Sequence, residues 1–423
     1  MKFIISWRAY FFIAIAACLL VNSACSDDKC EYTYYGYAPI YKSYEEFRLP
    51  ISATEARELK KPGKIYYKTP YLFINEQNEG VHIFDNSNPQ NPQNLAFIAI
   101  SGNSDIAIKN NTLYADNYTD LLAINIDNPK QPVLNKRLEN VFNQQYPTGE
   151  EGVIIGYEDE LSPISYTYDC DQEWIICGDM QTFESATAAN GSSEVQNSPN
   201  SQGIGGSMAR FTIPPGGNHL YIATINELKT FDLNDTANPI QKQDIYLGWN
   251  IETIYPFNNK LMIGSMSGMF IYDISNPESP KYISTFAHAT QCDPVVAAGN
   301  YAYVTLRDGT ECQGFGNELN VVSIADIYNP TLVKSYPMTH PLGLGIDNNT
   351  LFICDDEDGL KIYDAADASN IASNQLAHYE NVNATDVIPF NDVLMMIGND
   401  GLYQYDYSNI NNITLLSKIP ISQ

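Results

Sequence analysis

The nine residues Val81-His82-Ile83-Phe84-Asp85-Asn86-Ser87-Asn88-Pro89 set the reading of the whole chain. A short β-prone run of mostly apolar residues ends in an Asp, and a turn rich in Asn, Ser and Pro follows. Alternation within such a run fits a half-buried strand. The Asp carboxylate can accept hydrogen bonds from N–H groups of the turn, while Pro fixes φ and stops the strand. The unit returns as Leu121 to Asn125 with Asn128-Pro129, and as Leu228 to Asp232 with Asn238-Pro239. Further copies are Met269 to Asp273 with Asn276-Pro277, and Val322 to Asp326 with Asn329-Pro330. Leu360 to Asp364 and Leu402 to Asp406 are weaker, because Ile371 and Ile410 replace the proline. Positions 85, 125, 232, 273, 326, 364 and 406 are spaced by 40, 107, 41, 53, 38 and 42 residues.

Another short strand precedes each run, as in Tyr71-Leu72-Phe73-Ile74 and Leu261-Met262-Ile263. One strand more on either side gives four per repeat. Seven such units at this period predict an all-β chain, a seven-bladed β-propeller of four-stranded blades. A β-solenoid is the alternative, with a shorter repeat. The long interval holds a segment at about 143–206 between the second and third repeats, after the last strand of one and before the first of the next. In a four-stranded blade that connection shares a face, here called the top, with the loop joining the two middle strands. The segment is therefore a top-face insertion. Its first half is β-prone (Val153-Ile154-Ile155, Trp174-Ile175-Ile176-Cys177), and Ala186 to Gly206 is rich in Asn, Ser and Gly. An ordered flap followed by a mobile linker is expected. The propeller takes residues 63–423, after an N-terminal tether at 25–62.

Of 423 residues, 44% are hydrophobic and only 17% charged, enough for a sizeable core. With 23 basic against 50 acidic residues, the net charge of −27 repels phosphate backbones, so no nucleic-acid partner is expected. Residues 1–24 read as a secretory signal: Lys2 and Arg8 precede a mostly apolar run, Tyr10 to Val21, too short to span a bilayer comfortably. Asn22-Ser23-Ala24-Cys25 resembles the lipobox of bacterial lipoproteins, which implies lipidation of Cys25 and membrane attachment through lipid alone. An ordinary signal cut near Ala24 is the alternative. Ser26-Asp27-Asp28 resembles the tag that sends Bacteroidota lipoproteins to the outer face of the outer membrane. Were it plain linker instead, a periplasmic location would follow.

Six further cysteines remain once Cys18 and Cys25 are assigned, and an oxidising compartment favours disulfides. Cys292 lies just before the inner strand of unit five and Cys312 in its long middle loop, Arg307 to Glu318, so these two are expected to pair. Cys170 and Cys177 are candidates for a small closed loop, and Cys354 reads as a buried small hydrophobe. No C-x-x-C pair suggests zinc.

His288, His340 and His378 each follow an outer strand and precede the next inner one. Asp105, Glu252, Asp293 and Asp386 lie at or near the starts of inner strands. A closed ring would bring these groups to the channel mouth, where imidazoles and carboxylates can ligate a divalent metal. Satisfying loop backbone groups is the plainer role. The run Asp355-Asp356-Glu357-Asp358 reads as a solvated acidic turn or a weak Ca²⁺ site. No other cofactor is expected, and neither a nucleophile elbow nor a Gly-rich phosphate loop is present.

The Leu-Val-Ile-Val-Asp-like strand followed by Asn-Pro resembles the LVIVD repeat. Gly63-Lys64-Ile65-Tyr66, Phe84 to Pro89, Gly206-Ser207-Met208-Ala209-Arg210-Phe211, Cys292-Asp293-Pro294-Val295 and Ala302 to Arg307 resemble LVIVD-repeat lipoproteins of Bacteroidota. That likeness covers about residues 63–423. It implies a propeller on an exported lipoprotein and supplies no established reaction. The expectation is a cell-envelope, surface-exposed lipoprotein whose propeller is a binding or scaffolding module for a protein or glycan. The alternative is a metal-assisted hydrolase or lyase built on the histidines and carboxylates at the mouth.

Overall fold

The computed structural model describes residues 29–149, 151–169, 203–248, 250–287, 294–308 and 316–422. The chain divides into two units, one of Met1–Tyr41 with Ile154–Thr187 and one of Lys42–Val153 with Ala188–Gln423. In the first, the strands Lys29–Lys42 and Gly152–Asp169 are neighbours in one sheet. Residues expected as a bare tether therefore supply a strand to the start of the expected flap. Tyr35 and Tyr37 on that strand are exposed.

Among the described residues of the second unit, seven antiparallel sheets follow one another along the chain. The first has Pro62–Lys68, Tyr71–Glu76, Gly80–Asp85 and Gln93–Ala99 side by side in chain order, with Ile204–Gly205 at one edge and Ala53–Thr54 at the other. The innermost strands of the other six are Ile106–Lys109, Phe211–Thr212, Ile251–Phe257, Val295–Ala298, Leu344–Asp347 and Asp386–Phe390. Consecutive innermost strands pack on each other, and Asp386–Phe390 packs on Pro62–Lys68. In the third sheet the outer strand is broken into Ile240–Gln241 and Ile245–Tyr246.

The repeat works through a double turn. At the end of the third strand the Asp85 Oδ1 accepts from Ser87 N at 2.9 Å, and three residues on Asn88 Oδ1 accepts from Gln90 N at 3.1 Å. Asn125 with Asn128, Asp232 with Asp235, Asp364 with Asp367 and Asp406 with Asn409 repeat the pair. In six sheets the pairing of the third and outer strands shifts by a β-bulge beside this turn. Such a bulge adds local twist.

One copy was placed out of register by its sequence. Asp326 accepts from Tyr328 N, the second bond of the motif, and Ser323 holds the strand-end position opposite Tyr301. The two affected intervals become 50 and 41 residues in place of 53 and 38.

The middle strands are buried along nearly their whole length rather than half-buried, so their near-continuous apolar runs put side chains on both faces of each sheet and fill the spaces between neighbours. Ile254, Leu261 and Ile263 meet Tyr221 and Leu228 of the preceding sheet, while Met262 and Met269 meet Val295 and Val304 of the next. The series reaches Ile388, Met395 and Leu402 of the seventh sheet, which pack on Ile65, Leu72 and Phe84 of the first. Cys354 is fully buried and free, as expected of a packing residue, and burial raises its thiol pKa. Near the two ends of this unit, Leu59 bridges Ile421 in parallel. Among the described residues no helix is long and apolar enough to cross a membrane.

Candidate functional site

Of the linker expected at Ala186 to Gly206, the described part, Gly203 to Gly206, has a fixed place in the fold. Ile204–Gly205 pairs with the innermost strand of the first sheet, opposite Tyr67 and Tyr66. Gly203 N donates to Ile108 O, Leu344 N to the Ser207 hydroxyl, and Ile254 N to Ala209 O. Residues 203–211 thus bond to inner strands of the first, second, fourth and sixth sheets.

Two carboxylates at inner-strand starts hold this segment. Asp105 Oδ2 accepts from Arg210 N and Phe211 N and lies 2.7 Å from Lys64 Nζ. Asp386 Oδ1 accepts from Ser207 N and Oγ at 3.2 Å and from Val387 N at 2.9 Å. Its Oδ2 is buried without a partner. Burial pushes the Asp386 pKa up to about 6, against the backbone and Ser207 hydrogen bonds that lower it. The approach is close on both sides: a Cβ on Gly206 would fall 1.9 Å from Oδ2, and one on Gly343 2.3 Å from Oδ1.

Beside this clasp lies a cavity of about 370 Å³ where loops of the first, second and seventh sheets meet. Lys64, Asn75, Gln77, Asn103, Asp386 and Asn399 give it polar walls, and Met208 of the ordered segment lines it as well. Asn75 Nδ2 donates to Asn103 Oδ1 at 2.7 Å, and Asn103 Nδ2 donates to Asp116 Oδ1 at 2.7 Å. Asp116 also accepts from Ser104 N and Asp105 N. A network satisfied in this way fixes the wall before any ligand arrives.

The other sequence candidates lie elsewhere or outside the described residues. His288, Asp293, Cys292, Cys312, Cys170 and Cys177 fall outside them, as does Cys25. His340 and His378 both contact the acidic turn of the sixth sheet: His340 Nδ1 is 2.9 Å from Asp356 Oδ2, and His378 Nε2 is 2.6 Å from the Asp358 carbonyl. That turn holds a cation of its own, because Lys361 Nζ bonds both Asp355 and Asp358. Glu252 gives its backbone carbonyl to Arg210 Nε at 3.1 Å. Among the described residues, these candidates do not assemble into a group of three metal-binding side chains. Asp105 and Asp386 share the cavity region with Lys64, and neither histidine lines the cavity.

Sequence reading missed Asn75, Asn103, Lys64 and Ser207. A signal was present: Gly63 to Tyr66 and Gly206 to Phe211, two stretches picked out for their likeness to one family, come together, with Gly206 N donating to Ile65 O.

Residues 291–338 match the LVIVD repeat. No curated protein matches the chain. Among solved structures, Sqt1 of Saccharomyces cerevisiae is similar at 9% identity and a TM-score of 0.50, over 88% of each chain. The periplasmic gluconolactonase PpgL of Pseudomonas aeruginosa is similar at 10% identity and a TM-score of 0.50, over 85% of this chain and 96% of that one. Likeness at such identity speaks for the fold alone. The chain is a β-propeller that carries an LVIVD repeat at residues 291–338.

Proposed function

We propose that this protein is a cell-envelope lipoprotein, anchored through lipid on Cys25 and facing the cell surface. In this reading its seven sheets close into a seven-bladed ring, and the cavity at the first, second and seventh sheets binds a polar, uncharged group. A sugar residue of a glycan is the preferred ligand, and an amide-bearing segment of a partner protein is the second choice. The cyclic packing of inner strands supports the ring. The basic start, apolar run and Asn22-to-Cys25 box support the anchor.

The observation that carries the binding role is the cavity itself. Its wall is amide-rich and already hydrogen-bonded, and its one buried carboxyl keeps an oxygen without a partner. Preset donors and acceptors suit hydroxyl-bearing ligands, since little ordering is left to do on binding. Asn399 is exposed at the rim. Asn399→Trp is expected to fill the mouth and abolish glycan-array binding of the purified protein while leaving its melting temperature unchanged. Full retention of binding in this variant would reject the cavity as the site.

A further inference from the structure

A second cluster lies at the opposite ends of the strands, between the third and fourth sheets. His219 begins the second strand of the third sheet, His219–Ala223, and Asp232 ends the third strand, Glu227–Asp232, directly opposite it. Glu278 comes from the turn after Asp273 in the fourth sheet. One ligand atom from each of the three lies within 4.8 Å of the others. His219 is only 7% exposed, its Nε2 is buried with no hydrogen-bond partner, and it lines a cavity of about 260 Å³ with Tyr221, Asn234, Ser275 and Pro277. A buried ring nitrogen without a partner is costly unless something fills the place opposite it.

We propose that His219, Asp232 and Glu278 form a site for one borderline first-row divalent cation, of which Zn²⁺ is the reference case. One imidazole nitrogen with two carboxylate oxygens selects such ions over Ca²⁺ and Mg²⁺, which take oxygen ligands. Two ligands are fixed by facing strand positions. The third sits on an adaptable turn, its side chain 52% exposed, and closes the remaining distance to ligand bonds of about 2.0–2.2 Å. Asp232 Oδ1 is already engaged by Asn234 N, which leaves Oδ2 for the ion.

A resident cation competes for the place. Lys242 Nζ lies 2.7 Å from Glu278 Oε1 and 3.5 Å from Asp232 Oδ2. Metal entry therefore requires the ammonium to swing into solvent, still protonated, while the two carboxylates pass to the metal. Lys109, another cation near His219, is held by the Gly217 carbonyl and Asn218 Oδ1. Bound metal would tie two consecutive sheets together.

The test is calorimetric titration of the chelator-treated full chain with Zn²⁺ and, separately, Ca²⁺. One Zn²⁺ equivalent is expected that Glu278→Gln weakens at least tenfold and His219→Ala removes. Lys242→Met is expected to tighten it by about tenfold or more, since a like charge leaves the site. Glu278 is exposed enough for its variant to fold even if His219→Ala does not, with circular dichroism as the check. Zn²⁺ affinity indifferent to both Glu278→Gln and Lys242→Met would overturn the site, and Ca²⁺ binding as tightly as Zn²⁺ would overturn the ion class.

Discussion

Asp386 is the residue at which the fold takes on an electrostatic cost. Its folded pKa of about 6 lies above the ordinary 3.8, so the fold favours the protonated form. The stability this lends is complete below about pH 4 and is lost as pH rises through 6. The difference between about 6 and 3.8 corresponds to about 3 kcal/mol. Asp386→Asn removes the titration, so its urea midpoint relative to the parent should climb between pH 4 and pH 6 and then level off. A constant difference across that range would show that the carboxyl titrates normally. His82 has the opposite sense. Buried with its Nε2 2.9 Å from Glu76 Oε2, it has its pKa lowered by burial, and protonation below pH 6.5 works against the fold. Neither environment could be read from the sequence, because each depends on segments that meet only in space, such as Ser207 at Asp386.

At the scale of the element, the double turn is the device that repeats. Asp273 Oδ1 accepts from Ser275 N and Oγ, at 3.2 and 2.7 Å. Asp273→Ala should cost about 1 kcal/mol, the net value of a turn hydrogen bond, measurable as a lower urea midpoint with an unchanged slope. The strands and their order were legible because short apolar runs and the Asp- or Asn-bearing turns that stop them are local properties of the chain. The fifth copy was misaligned for a local reason as well. Ser323 takes the strand-end place, and the acid of this copy, Asp326, stands at the second turn position. The segment at 203–211 escaped altogether. Glycine and small polar residues look like linker by composition, yet Gly203 and Gly206 are what allow the chain to pass against Tyr66 and Asp386.

At the scale of the whole repeat array, the junction of the first and seventh sheets is the one without chain continuity. Its core is apolar, from Ile65, Leu72 and Phe84 against Ile388, Met395 and Leu402. A reciprocal amide pair reinforces it: Asn86 Nδ2 donates to Gln404 Oε1, and Gln404 Nε2 to Asn86 Oδ1, both at 2.8 Å. Both residues are buried, so Gln404→Ala strands the Asn86 amide. The variant should lose about 1–3 kcal/mol of unfolding free energy, and Asn86→Leu with Gln404→Leu together should lose less than the single change. Equal losses in the single and double variants would mean that the pair adds nothing to the junction.

The bridge between Leu59 and Ile421, with Ser422 N donating to Leu59 O at 2.7 Å, brings the start and finish of the array within one hydrogen bond of each other. Each sheet's core meander is drawn from a single uninterrupted stretch of chain, so the position of the break is arbitrary as far as these meanders are concerned. A short peptide splicing 421 back to 59 would free the termini to emerge between any two blades, a circular permutation that leaves every meander whole. By the same token, a restraint on residue 59 is a restraint on residue 421 as well.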